Sequence, residues 1–164
     1  MQHTTVERQA IQLAGICVRT SYQQELDLMR GRIGPCVMRY FHEALFEKIP
    51  HRIAPGTTFC VYTDYESDYK GAYTYFIGEE VDSLDSQLPE GFHRLTIPGQ
   101  HYAKFTTKPA PMPDVVVNAW KAIWEMSPKE LGGIRNYQAD FEIYDERAAD
   151  HQNIVFDLYV GIKL

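Results

Sequence analysis

Apolar and polar positions along this chain predict the order strand, helix, strand, strand, and then predict it again. Ala10 to Tyr22 is rich in Ile, Val, Leu and Thr around Gly15 and reads as a first strand, with a bulge expected at the glycine. From Ile33 or Pro35 to Ile49, the residues Val37, Phe41, Leu45 and Ile49 recur at fours, with Met38 and Phe46 beside them. That spacing predicts an amphipathic helix, stopped by Pro50. Thr58 to Thr63 and Ala72 to Gly78 read as strands, joined by the hairpin chemistry of Asp64-Tyr65-Glu66-Ser67-Asp68 and Gly71.

Leu84 to Gly91 is a polar connection and the natural junction between halves. Beyond it, His93 to Pro98 and His101 to Thr107 read as strands around Pro98-Gly99, and the proline-rich Lys108 to Pro113 delivers the chain to Asp114, the expected N-cap of a second helix. Val116, Ala119, Trp120, Ile123 and Trp124 form that helix's apolar face, and Pro128 with Gly132-Gly133 ends it. Asp140 to Tyr144 and Val155 to Ile162 are the last strands.

The halves share a signature. Phe59-Cys60-Val61-Tyr62 recurs as Phe141-Glu142-Ile143-Tyr144, a spacing of 82 residues in a chain of 164. Gly78 is echoed by Gly161 and Gly15 by Gly99 at nearly the same offset. The expected fold is therefore α+β: duplicated strand-helix-strand-strand units, about 1–82 and 91–164, within a single domain spanning 1–164. They would form a curved antiparallel sheet with two helices on one face and a ligand pocket on the other.

Chemistry concentrates where the copies differ, because Glu142 stands where the first copy has Cys60. Strand alternation puts Glu142 and Tyr144 on one face and Phe141 and Ile143 on the other. If Phe141, Ile143, Phe59 and Val61 pack under the helices, the open face gathers Glu142, Tyr144, Cys60 and Tyr62. Neighbouring strands then add Tyr73 or Tyr75, Phe76 and Tyr159, according to register. Trp120 and Trp124 are divided between core and pocket wall. A carboxylate among aromatic rings suits a large flat organic cation, since ring faces attract positive charge. The plainer alternative places Glu142 at a wet sheet edge, or neutralises it with Arg135 or Lys104.

Composition narrows the classes. Sixteen Lys and Arg against 22 Asp and Glu give a net charge of −6, which argues against a direct nucleic-acid footprint. Cys17, Cys36 and Cys60 include no Cys-x-x-Cys pair, and the first residues lack a secretory pattern. No apolar run is long enough to span a bilayer. A cytoplasmic protein without membrane association is the expectation. The six histidines show no paired ligand spacing, so neither a metal nor a cofactor is expected.

The stretch Asp140-Phe141-Glu142-Ile143-Tyr144, the final Tyr159-Val160-Gly161-Ile162-Lys163 and the Ala119-Trp120-x-x-Ile123-Trp124 helix resemble the GyrI-like effector-binding family. That family includes the ligand-sensing domains of AraC-type and MerR-type multidrug regulators. The resemblance implies that Glu142 meets the positive charge of a ligand and that Tyr159 lines the pocket. Val160-Gly161-Ile162 departs from the family's usual Ile-Pro-Val or Ile-Pro-Ile ending. With the first strand near Met1, no DNA-binding domain is expected, and the chain resembles stand-alone binders encoded on integron gene cassettes. It would be a sensor of amphipathic cationic aromatic compounds acting through a separate DNA-binding regulator or another protein. The alternatives are a small-molecule hydrolase with Glu142 as general acid or base, as in some members of the family, and a gyrase-inhibitor type of protein interaction.

Overall fold

The structure, a computed structural model, describes residues 1–83 and 87–164. The expected junction at Leu84 to Gly91 thus lies partly outside the described residues. Eight strands form one antiparallel sheet: β1 (His3–Arg8), β2 (Ile11–Ser21), β3 (Thr58–Thr63), β4 (Ala72–Glu80), β5 (His93–Ile97), β6 (Gln100–Thr106), β7 (Ile134–Tyr144) and β8 (Asp157–Lys163). The helices are α1 (Tyr22–Leu26), α2 (Ile33–His42), α3 (Asp114–Trp124) and α4 (Pro128–Leu131). The α+β class and the antiparallel sheet are as expected.

The strand order is β1-β6-β8-β7-β3-β4-β2-β5. Exchanging β2, β3 and β4 with β6, β7 and β8 reverses the central six without changing them. At the centre of symmetry β3 pairs with β7, Phe59 opposite Ile143, Cys60 opposite Glu142 and Val61 opposite Phe141. The two copies of the signature are therefore laid against each other, and Cys60 and Glu142 face across the pseudo-twofold axis.

The connections explain the curvature. Only Gln9 and Ala10 separate β1 from β2, yet these strands lie near opposite ends of the order, and the same holds for β5 and β6 across Pro98-Gly99. Two residues cannot span an open eight-stranded sheet whose strands are about 4.8 Å apart. The sheet must curl until its ends meet, and the two turns do touch: a β-carbon on Gly99 would sit 3.2 Å from the Arg8 carbonyl oxygen. The curled interior is filled from both halves by Leu13, Phe59, Val61, Phe76, Tyr102, Phe141 and Tyr159.

This interior corrects the assignment of faces. Phe59, Val61 and Phe141 point into the curl, and the opposite parity lies under the helices. Cys36 and Tyr40 of α2 pack on Ala14, Ile16, Cys60, Tyr75 and Ile77. Val115, Ala119, Trp120 and Ile123 of α3 pack on Phe105, Leu158, Val160 and Ile162. The acid is thus on the same face as the helices, because the other face is closed by the sheet's own curvature.

Several local expectations are also corrected. The helix expected from Ile33 or Pro35 to Ile49 is α2 and ends at His42; Ala44 then turns left-handed at φ 48° before a 3-10 turn at Leu45–Lys48. Phe41 and Met38 are consequently exposed, while Cys36 and Tyr40 are buried. Asp114 is the first helical residue rather than a cap, and Pro113 precedes it without a side-chain bond. Pro128 begins the separate α4, closed by a Ser127–Glu130 capping box. β2 pairs with β4 in unbroken register through Gly15 opposite Gly78, with no bulge there. Gly99 lies in a turn, so its match to Gly15 is not structural. β1 has no counterpart in the sequence reading, being a largely exposed edge strand without apolar alternation.

Candidate functional site

Glu142 is 2% exposed, at the centre of β7 and beside the pseudo-twofold axis. Both carboxylate oxygens are held by neutral donors. The Tyr62 hydroxyl and the Trp120 Nε1–H donate to Oε2, each at 2.8 Å, and the Tyr144 hydroxyl donates to Oε1 at 2.7 Å. Among the described residues no cation pairs with Glu142. Arg135 instead binds Asp140 at 2.7 Å, and Lys104 lies over the Tyr159 ring. Neither the wet edge nor an ion pair describes this acid.

Three short bonds satisfy the lone pairs of a buried carboxylate but leave its charge uncompensated. Burial raises the pKa of Glu142, and the bonds from Trp120, Tyr144 and Tyr62 oppose that rise. The partners respond in turn: the Tyr62 and Tyr144 phenols are pushed well above their usual range, first by burial and then by the carboxylate beside them. The group is therefore a poised anion in a ring of neutral donors.

The site lies at a seam. Tyr62 and Tyr144 each pack against both helix-covered cores, the one under α2 and the one under α3. Tyr62 meets Trp120 edge-on at 5.2 Å and Tyr75 at 5.4 Å, and Tyr144 stacks on Phe156 at 4.7 Å. Cys60 is buried opposite Glu142, its thiol pushed far up by burial and by the carboxylate, which leaves it unreactive. Of the residues expected here, the structure brings together Glu142, Tyr144, Tyr62, Tyr75, Cys60 and Trp120. It does not bring Phe76 and Tyr159, which point into the curled interior, where Tyr159 stacks on Phe141 at 4.6 Å and beneath Arg8. Register separates them from the acid: Phe76 pairs with Val61 and Tyr159 with Phe141, so both have the parity opposite to Glu142.

Trp124 is 46% exposed and occupies a neighbouring place. It lines a groove of about 470 Å³ with Tyr22, Tyr69, Pro128, Arg135 and Tyr137. Its ring meets Tyr22 edge-on at 5.6 Å and lies 6.4 Å from Trp120. Arg135 forms the polar part of this wall, its guanidinium 4.4 Å from the Tyr137 ring and 5.8 Å from Trp120.

Sequence reasoning overlooked a second buried acid, Asp140. It accepts from the Tyr65 hydroxyl at 2.6 Å, Arg135 and the Gly161 N–H at 2.8 Å. Its parity with Glu142, two residues earlier on the same strand, was the available signal. Tyr22, Tyr69 and Tyr137 lie outside regular strand alternation and gave none. Among the described residues no group of His, Cys, Asp and Glu is placed to hold a metal ion, and no helix is long and apolar enough to cross a membrane.

Comparison with known proteins adds three findings. The family described as Cass2, integron-associated effector binding protein, matches residues 4–162. YobU of Bacillus subtilis (strain 168), named as a candidate transcriptional regulator, is 29% identical over 150 residues, 92% of this chain and 91% of that one. Two solved structures share the fold. An integron cassette protein from the mobile metagenome of Vibrio cholerae superposes with a TM-score of 0.74 at 22% identity, covering 98% of this chain and 95% of that one. SAV2435, solved bound to tetraphenylphosphonium, gives 0.75 at 14% identity, covering 99% and 94%.

Proposed function

The chain belongs to the integron-associated effector-binding protein family, and from that premise we propose that it binds amphipathic aromatic cations, with Glu142 as the receiving anion. The observation that carries this reading is the carboxylate itself. It is fully buried, bonded by three neutral donors, and paired with no cation among the described residues. A protein that needed this acid only for stability would lower the cost of burial with an arginine, as it does two residues away at Asp140. Leaving the charge uncompensated raises the attraction for a ligand that can desolvate as it enters, and surrounding rings add about 0.5–2 kcal/mol for each face presented to the cation. SAV2435, of the same fold, was solved with such a cation. The resemblance to YobU supports a downstream role in transcriptional control.

General acid or base chemistry draws less support, because donors occupy both oxygens and the nearby Cys60 thiol is held protonated. The test is calorimetric titration of wild type and Glu142→Gln with tetraphenylphosphonium at pH 8. Loss of the carboxylate charge is expected to weaken binding by tenfold or more, about 1.4 kcal/mol. Equal affinity in the two proteins would remove Glu142 from the recognition of cations.

A further inference from the structure

Glu142 is enclosed, so a ligand must open a way to it, and the surroundings single out one direction. Trp120 touches both the acid and residues that wall the aromatic groove. Its indole N–H bonds Glu142 and its ring abuts Tyr62. Trp124, 6.4 Å from its ring, and Arg135, 5.8 Å from it, both line the groove. The groove's volume falls in the range of drug-sized sites, and four aromatic side chains form its walls. The one cation in those walls, Arg135, is neutralised by buried Asp140, so the groove does not repel positive charge as a bare arginine would.

We propose that Trp120 is a shutter and that the groove seats the flat aromatic body of the ligand while its cationic end takes the place of the Trp120 N–H at Glu142. This rests on Glu142 receiving a cation and extends that reading to the ligand's shape and route. The preferred ligand carries its charge at the edge of a planar ring system, because the body stacks beside Trp124 and the charge must reach past one indole. Exchange of the indole bond for an ionic contact means that binding breaks one hydrogen bond to the carboxylate, and the shutter's bond works against the ligand.

That opposition gives the test its sign. N-methylacridinium, a flat aromatic cation, and tetramethylammonium, a cation with no ring, are titrated by calorimetry against wild type, Trp120→Phe, Trp124→Ala and Glu142→Gln at pH 8. Trp120→Phe keeps the ring but removes the competing donor, and is expected to tighten N-methylacridinium by about three- to tenfold. Trp124→Ala is expected to weaken N-methylacridinium by about tenfold while changing tetramethylammonium little. Because the chain has two tryptophans, Trp124→Phe leaves Trp120 as the sole indole, and its emission should shift to the red as N-methylacridinium displaces it. Weaker or unchanged binding in Trp120→Phe, or an unshifted emission in Trp124→Phe, overturns the shutter. Unchanged N-methylacridinium binding in Trp124→Ala overturns the groove as its seat. If Glu142→Gln alone loses affinity, the acid keeps its role and only the route is wrong. If Glu142→Gln binds like wild type, the cation reading itself fails.

Discussion

At the scale of single residues, Glu142 sets function against stability, and the opposition has a measurable sign. Burial raises its pKa, so the folded protein holds this proton more tightly than the unfolded chain, where the value is about 4.3. Stability from the group is therefore complete below that value and is lost as pH rises through the raised one. Glu142→Gln keeps an oxygen for the donors without the charge. It should melt above wild type at pH 8, by a few degrees for about 1 kcal/mol, and the gap should close towards pH 4. Thermal melts at several pH values check this, and a gap independent of pH would mean that the carboxylate is not the titrating cause. Cation binding runs the other way: it favours the ionised form, so affinity rises with pH up to the raised pKa and binding below it releases a proton.

At the scale of elements, the sheet's curvature places demands on particular backbone contacts. Gly15 and Gly78 pair between β2 and β4 so closely that a β-carbon on Gly78 would overlap the Ala14 carbonyl oxygen, and one on Gly15 the Ile77 carbonyl oxygen. Neither obstacle is a movable side chain. Gly78→Ala is expected to cost about 3 kcal/mol or more, since the strands must separate, while leaving Glu142 and Tyr144 on β7 and Trp120 on α3 in place. Urea denaturation measures the loss, and a cost below about 1 kcal/mol would show that the strands yield. The sequence displayed these elements unevenly. β3 was legible to the residue because Thr58 to Thr63 alternates between a polar turn and a hairpin, and Phe-x-x-Tyr marked its partner in β7. β1 was hidden, because its side chains are mostly exposed and its role is to pair backbone with β6. The parity of Glu142 was legible from its neighbours, but the identity of its face was not: Phe59 and Val61 are as apolar as a helix-covered face would be. Only the pairing of strands distant in sequence reveals that they fill a curled interior. Phe76 and Tyr159 were misplaced because register was equally illegible: they pair with Val61 and Phe141 and so turn away from Glu142.

At the scale of the whole molecule, the acid's position between two cores decides what a bound ligand does to the protein. The core under α2 and the core under α3 are separate clusters of buried side chains, joined on this face through Tyr62 and Tyr144. A cation at Glu142 bonds to the central strand of one half and packs against the tyrosine of the other, so its binding energy is distributed across the seam. Ligand at a hundred times its dissociation constant adds about 2.7 kcal/mol to stability, and the geometry says where that stability appears. Amide hydrogen exchange should slow together in α2 and α3, whose cores meet at the seam through Tyr62 and Tyr144. The interior strands, already closed by the meeting of the sheet's ends, should change little. Protection confined to α3 would mean that the ligand belongs to one half, and that the other merely supplies a wall. Joint protection would make the seam the element that senses occupancy, and the exposed Phe41 and Met38 on α2 would then lie on a surface whose rigidity depends on the ligand.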